Sequence, residues 1–137
     1  MGGLWKGYHS GPPDVVDTTL PAPRLKELLH ALNRVPDDFH TNPKIKRIFK
    51  LREEQADLDR PLDWAAGELL AYASLVTQGH PVRISGQDVQ RGTFSHRHAV
   101  LVDVENGTPY APLANLAPGQ ARFECYNSLL SEAAVLG

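Results

Sequence analysis

Two histidines, His96 and His98, lie two residues apart in this 137-residue chain. In a β-strand, alternate side chains share a face, so both imidazoles would point to one side, as a pair of metal ligands requires. A catalytic zinc ion needs a third protein ligand, and none is evident nearby in the sequence. The alternative is a pair of polar histidines that bond to the backbone or to a neighbouring chain.

The loop before the histidines carries further polar groups. Gln87 and Asp88 follow an apolar strand, and open α/β sheets bind ligands outside the carboxyl ends of their strands. The segment Arg91-Gly92-Thr93 could bind an anion through backbone amides and a guanidinium, or it could be a solvated turn. A loop with so many polar residues is not expected to pack in the hydrophobic core, and exposed loops often carry functional residues.

Two reactive groups lie nearer the C-terminus. Glu132 falls in the first turn of a predicted helix, where the helix dipole favours a carboxylate without any function. A functional reading requires apolar neighbours, such as Leu129 and Leu130, that help the carboxyl to hold a proton near neutral pH. Cys125 lies in a short apolar run, which predicts a core residue rather than a nucleophile. As the single cysteine, it excludes an internal disulfide.

Helices are predicted ahead of the polar loop. Residues 1–23 are rich in Gly and Pro and predict an extended linker. Helices are expected to begin at Pro23 and near Pro43. A third helix is expected over residues 64–78, with Asp63 as its N-cap and Gly79 closing it in a left-handed conformation.

Short strands are predicted around and after the polar loop. The apolar patterns indicate strands over residues 81–84 and 122–126, and a hairpin of residues 99–104 and 110–113 with a turn at Asn106-Gly107. Helices joined to strands by short connections are typical of a layered α/β domain. The predicted fold class is therefore α/β, with helices packed on a mostly parallel sheet.

Composition limits the classes of function. The chain is 42% hydrophobic and 22% charged, as in soluble globular proteins. Its net charge of −2 gives no electrostatic case for binding nucleic acid or an anionic membrane. Neither a signal-peptide core nor a membrane span is present in the sequence.

The central stretch closely resembles the signature of the 2-oxoglutarate dehydrogenase first component, the thiamine-diphosphate-dependent decarboxylase of that multienzyme complex. The resemblance is carried by residues 83–88 (RISGQD) and 91–100 (RGTFSHRHAV). Other parts agree in order, and the resemblance is densest from residue 63 to residue 137. They include Val35-Pro36, Asp63-Trp64-Ala65 with Glu68, Tyr126-Asn127-Ser128 and Leu130-Ser131-Glu132.

The resemblance implies a transketolase-like pyrimidine-binding fold and a set of site residues. Glu132 matches the family glutamate that bonds N1′ of the cofactor aminopyrimidine and so activates the thiazolium C2. Leu130 matches a position against the pyrimidine ring, and Gln87 matches a polar position at the same end of the cofactor. His96 and His98 are expected near the site as catalytic residues.

The resemblance also implies a reaction and partners. The activity would be that of an oxidoreductase of the tricarboxylic acid cycle and linked central metabolism. It decarboxylates 2-oxoglutarate and passes the succinyl group to a lipoyl-bearing succinyltransferase, which works with dihydrolipoyl dehydrogenase. The parent would be a homodimer in the bacterial cytoplasm or the mitochondrial matrix.

One departure from the family shapes the expectation for this chain. The family binds magnesium and the diphosphate through a Gly-Asp-Gly motif, which this sequence lacks. The chain would therefore hold only the pyrimidine half of a cofactor site. Because the predicted C-terminal helix stops after about two turns, too short to be stable alone, we expect part of a longer chain. Its parts are a linker (1–23), a helical connector (24–60) and the N-terminal part of the pyrimidine-binding domain (61–137). Alone it would be inactive and bind thiamine diphosphate weakly or not at all. The alternative is a free-standing, non-catalytic interaction or regulatory module that has kept the fold.

Overall fold

The computed structural model describes residues 3, 6–7, 10–12, 15–57 and 60–128. In these ranges, three helices precede four short strands, which confirms the predicted α/β class. No described helix combines the length and the apolar character that crossing a bilayer would demand. The elements are α1 (Ala22–Leu32), α2 (Pro43–Ala56), α3 (Trp64–Thr77), β1 (Val82–Gly86), β2 (Leu101–Val102), β3 (Pro109–Tyr110), a 3-10 turn (Pro112–Ala114) and β4 (Phe123–Asn127).

Local capping sets the helix boundaries. The Asn42 side chain accepts a hydrogen bond from Lys44 N at 2.9 Å and begins α2. Asp63 does the same for Ala66 N at 2.8 Å and begins α3, as predicted. Such caps satisfy backbone donors that have no partner within the helix. Gly79 follows α3 with φ of 92°, which confirms the predicted left-handed closure.

The core lies where α1 and α3 meet each other and the β1–β4 pair. Full burial of one leucine side chain contributes about 2 kcal/mol of hydrophobic stabilisation, so this cluster is the main support of the fold. Cys125 is buried there, which confirms it as a core residue, and its burial raises the pKa of the thiol. The other main members are Leu28, Leu29, Leu32, Leu69, Leu70, Ala73, Val76, Leu113 and Phe123.

The strands β1 and β4 pair in parallel, with Val82 opposite Phe123 and Gly86 opposite Asn127. Ile84 and Cys125 face the core, so strand alternation places the neighbouring polar residues on the other face. Because both strands end at the same level, the residues that follow them meet at one edge of the sheet. This edge is the one where open α/β sheets bind ligands.

The predicted hairpin is present, but it is shorter than the sequence suggested. The strands β2 and β3 are antiparallel, with Leu101 opposite Tyr110 and Val102 opposite Pro109. The side chain of Asp103 accepts backbone hydrogen bonds from the next turn, which bends the chain directly after Val102. The predicted return strand over 110–113 is wrong at its end, because Pro112 begins a 3-10 turn.

Asp103 also joins the hairpin to the segment between α1 and α2. Its buried carboxylate accepts hydrogen bonds from His40 N at 2.8 Å, from Glu105 N at 2.8 Å and from Asn106 N at 3.2 Å. Burial alone would raise the pKa of Asp103. The three backbone hydrogen bonds and the His40 ring oppose burial and lower this pKa to about 2.

Changing Asp103 to Asn is expected to lower the melting temperature at neutral pH by about 5 °C or more, because an amide donor would face backbone donors. The depressed pKa makes the carboxylate stabilising above its unfolded value of about 4, and this stabilisation disappears as the pH falls towards about 2. Thermal unfolding should therefore be measured at about pH 7, 4 and 3. The difference in melting temperature between wild type and Asp103→Asn should become smaller as the pH falls. Asp37→Asn, at an exposed site, is the matched control. A difference that does not change with pH would contradict the assignment.

Candidate functional site

A cleft of about 600 Å³ opens at the sheet edge where β1 and β4 end. One wall is polar and comes from the loop after β1 and the end of β4. The opposite wall comes from the start of α2, and β2 and its flanks complete the lining. The polar wall consists of Asp88, Gln90, Arg91, Ser95, His98 and Asn127, and the α2 wall of Asn42, Lys44, Ile45 and Ile48.

Gln90 fastens the polar loop over the end of β4. Its backbone N donates to Asn127 Oδ1 at 3.1 Å, and its side-chain Nε2 donates to the Cys125 carbonyl at 2.9 Å. Gln87, the glutamine singled out by resemblance, is exposed and is not among the described residues that line the cleft. Only its place in a polar loop could have indicated Gln90, because its hydrogen-bond partners lie on a strand that is distant in the sequence.

Arg91 is engaged within its own loop. Its guanidinium donates to Asp88 Oδ2, from Nε at 3.1 Å, and to Ser95 Oγ at 2.7 Å. Arg91 lowers the pKa of the Asp88 carboxyl through this hydrogen bond. Gly92 N also donates to the Asp88 carbonyl at 2.8 Å. Because both the guanidinium and this amide have partners, the arrangement favours a structural turn over the anion site considered for residues 91–93.

Arg97 attaches the loop to α3. Its guanidinium forms two hydrogen bonds with the Glu68 carboxylate, at 2.8 and 2.7 Å, and a third with the Val89 carbonyl at 2.9 Å. Tyr72 donates to the same carboxylate at 3.2 Å. The side chains of Arg97 and Glu68 are only 15% and 26% exposed, and the hydrogen bond from Arg97 lowers the pKa of Glu68. Paired, two-pronged contacts of this kind fix geometry as well as adding energy.

His96 and His98 do not lie in a strand, so the alternation that would direct both side chains to one face as metal ligands is not present. The backbone N atoms of Arg97 and His98 both donate to the Arg91 carbonyl at 3.0 Å, so the segment folds back on its own loop. His98 has φ of 46°, in the left-handed region. Within the described part of the chain, no three or more His, Cys, Asp or Glu side chains are grouped to hold a metal ion.

The two histidines have different surroundings. His98 lines the cleft, and its Nε2 lies 2.9 Å from the Ser95 carbonyl. Burial is the main cause that lowers the pKa of His98, so its imidazole is neutral at pH 7. His96 instead packs over Gly92 and is not among the described residues lining the cleft. Its Nδ1 is buried without a hydrogen-bond partner among the described residues.

Changing Gly92 to Ala is expected to displace the His96 ring and destabilise the chain by about 2 kcal/mol. The added Cβ would lie 2.5 Å from a ring carbon of His96, and the residue has φ of 81°. The control is Gly107→Ala, which shares a positive φ of 75° but has open space around the added Cβ. Urea unfolding and the His96 ring resonance should change more for Gly92→Ala. Equal effects of the two variants would contradict the packing of His96 on Gly92.

Glu132 and Leu130 lie outside the described residues, so the roles predicted for them stay predictions. The last described residue, Ser128, donates from its backbone N to the Gly86 carbonyl at 2.9 Å, at the sheet edge beside the cleft. Its hydroxyl is buried and has no hydrogen-bond partner among the described residues.

Known proteins match this sequence both over one domain and over its whole length. Residues 60–137 match the family described as transketolase, pyrimidine binding domain. The chain is 46% identical over its whole length to the 2-oxoglutarate dehydrogenase E1 components of Brucella ovis and Brucella melitensis biotype 2. It spans 14% of the length of each of these relatives.

Proposed function

Because the chain belongs to the transketolase pyrimidine-binding domain family, we propose that it forms the pyrimidine side of a thiamine diphosphate site. The parent activity is that of a 2-oxoglutarate dehydrogenase E1 component, the name carried by its relatives. This activity is the oxidative decarboxylation of 2-oxoglutarate with transfer of the succinyl group to a lipoyl arm. Thiamine diphosphate, when bound, supplies the electron sink that allows carbon dioxide to leave.

The cleft at the end of β1 and β4 is the observation that carries this proposal. Its volume of about 600 Å³ and its mixed lining suit an aminopyrimidine, which needs an apolar wall and a few hydrogen-bonding groups. Ile45 and Leu101 supply apolar surface, and Gln90 and Asn127 supply amide groups. The unpaired Ser128 hydroxyl adds a polar group at the same edge of the sheet. The described residues therefore fit the ring.

The chain connectivity supports a role for Glu132. Residue 132 follows Ser128 by four positions, so its Cα can lie at most about 14 Å from that of Ser128. A carboxyl within this reach of the sheet edge can bond N1′ of the pyrimidine and hold or give a proton there. In this proposal Leu130 packs against the ring, and His98 lies near the reacting groups. Gln87 and His96 were also expected at the cofactor, but neither lines the cleft, so any contact they make with it lies outside the cleft wall.

The remaining functions are divided between the three parts of this chain and the rest of a longer protein. Residues 1–23 act as a linker, residues 24–60 as a helical connector and residues 61–137 as the beginning of the pyrimidine domain. Magnesium and the diphosphate are held by other parts of the parent, since the sequence has no Gly-Asp-Gly motif. The parent is a homodimer that works with the succinyltransferase and dihydrolipoyl dehydrogenase components, in the bacterial cytoplasm or the mitochondrial matrix.

The test uses the full natural gene product that contains this chain. Reduction of an artificial electron acceptor is followed with 2-oxoglutarate, with and without thiamine diphosphate and magnesium, and with pyruvate as the control substrate. We expect turnover that requires 2-oxoglutarate and both added components. No turnover with 2-oxoglutarate would overturn the proposal. An inactive product that co-purifies with a longer homologous enzyme would instead support the non-catalytic alternative.

A further inference from the structure

Arg52 is a buried arginine that neither the family match nor the proposed function uses. It lies on α2, outside residues 60–137, and it is only 4% exposed. Its Nη2 donates to the Arg97 carbonyl at 3.1 Å. Burial lowers the pKa of Arg52 to about 10, although the negative charge of Asp63 acts to raise it. The guanidinium therefore remains protonated at neutral pH. Burying a charge is costly, and an apolar side chain of similar size would fill this space without that cost.

The hydrogen bond from Arg52 falls on the peptide unit that joins Arg97 to His98. The carbonyl of this unit accepts from Arg52, and its N–H donates to the Arg91 carbonyl at 3.0 Å. Both polar groups of the peptide are therefore fixed. The side chain of Arg97 is fixed separately, by Glu68 on α3.

His98 needs such support. Its φ of 46° lies in the left-handed region, which is unfavourable for a residue with a Cβ. Without a fixed peptide before it, the backbone would relax and the imidazole would leave its place in the cleft wall. Arg52 and His98 lie together in a group of otherwise apolar neighbours that includes Leu32, Leu69 and Leu113.

We infer that Arg52 is a positioning residue, which holds the peptide before His98 so that the imidazole faces the cleft. The helical connector would then be part of the site rather than a spacer. The purpose of this arrangement rests on the proposed function, but its test does not.

The charges around His98 agree with this inference. Burial lowers the pKa of His98 most; the hydrogen bond to Ser95 opposes it, and the charges of Arg52, Arg91 and His96 add to the lowering. Removal of the Arg52 charge should therefore move the titration of His98 to higher pH. The charged and titratable groups that face His98 are Arg52 from α2, Arg91, Asp88 and His96 from the loop, and Lys44 and Asp103 across the cleft.

The experiment compares Arg52→Met and Arg52→Lys in the 137-residue chain. The ring resonances of histidine are followed by NMR from about pH 5 to pH 8, with the His98 signal assigned through His98→Gln. For Arg52→Met we expect a His98 midpoint at higher pH and about 10-fold faster exchange of the His98 amide proton. Arg52→Lys should keep the midpoint near that of wild type. The control is Arg47→Met, an exposed site on the same helix, which should change neither readout.

Two outcomes overturn the inference. One is a folded Arg52→Met chain whose His98 midpoint and amide exchange both equal those of wild type. If Arg52→Met does not fold, Arg52→Lys decides, because lysine lacks the planar group that reaches the Arg97 carbonyl. The Arg52→Lys chain should then show faster exchange of the His98 amide proton than wild type. An exchange rate equal to that of wild type would be the second outcome that overturns the inference. Neither readout needs cofactor or substrate, so a failure of the proposed function remains separate from a failure of this inference.

Discussion

Replacing Glu132 with alanine in the full gene product is expected to lower the 2-oxoglutarate-dependent kcat by about 10²- to 10⁴-fold. This is the range that one positioned proton-transferring side chain contributes to an enzymatic rate. In the proposed site, the carboxyl is the group that exchanges a proton with the pyrimidine nitrogen. No amide or alkyl side chain can replace it in that exchange. The measurement is kcat at saturating thiamine diphosphate and magnesium.

Two further variants separate proton transfer from other effects of the Glu132 substitution. Glu132→Gln keeps the size and a hydrogen bond, so it should bind the cofactor better than the alanine variant while remaining slow. Glu53→Ala removes a carboxylate from an exposed position on α2 and should keep kcat within about twofold of wild type. A Glu132→Ala enzyme within tenfold of wild type would contradict the role assigned to Glu132.

Replacing Arg97 with methionine is expected to destabilise the chain by about 2 to 3 kcal/mol. The substitution removes two hydrogen bonds to Glu68 and one to the Val89 carbonyl, and it leaves a partly buried carboxylate without its cation. Truncating one partner of a fully buried pair costs about 3 to 5 kcal/mol, and the partial exposure of this pair reduces the figure. Urea unfolding at neutral pH measures the loss.

A double-mutant cycle with Glu68→Gln isolates the contact between the two side chains. The coupling energy is expected to be about 1 to 2 kcal/mol. The control is Arg83→Met, because Arg83 also pairs with a carboxylate, Glu124 at 2.9 Å, but its side chain is 66% exposed. That exposed pair should contribute at most about 1 kcal/mol. An Arg97→Met loss no larger than that of Arg83→Met would contradict the view that this pair attaches the loop to α3.

Helix boundaries could be predicted from the sequence because they depend on neighbouring residues. Asp63 and Gly79 bound α3 through contacts within one turn of the helix ends. Strand lengths depend on partners far along the chain, and the predicted hairpin was accordingly too long. The first strand of the hairpin ends at Val102 because the Asp103 carboxylate accepts hydrogen bonds from the backbone N atoms of His40 and Glu105.

The sheet edge where the cleft opens could be predicted, but the contacts around the cleft could not. The polar loop after an apolar strand indicated this edge. The bend that contains His96 and His98 could not be predicted, because it depends on the Arg91 carbonyl, which accepts hydrogen bonds from the backbone N atoms of Arg97 and His98. The supports of the loop come from other elements: Glu68 is 29 residues from Arg97, and Arg52 is 45 residues from it. No local pattern indicates such pairs, since each requires knowledge of how α2 and α3 pack.

The parallel pairing of β1 with β4 has a consequence for synthesis on the ribosome. Arg83 and its cross-strand neighbour Glu124 are 41 residues apart, and the whole polar loop and hairpin lie between them. At roughly 5 to 20 residues per second, β1 is made about 2 to 8 s before its partner strand. During that interval β1, with Ile84 on its apolar side, has the earlier helices to pack against but lacks β4, its partner strand. The nascent chain therefore passes through a period in which an unpaired strand is available to other chains, before the cleft can form.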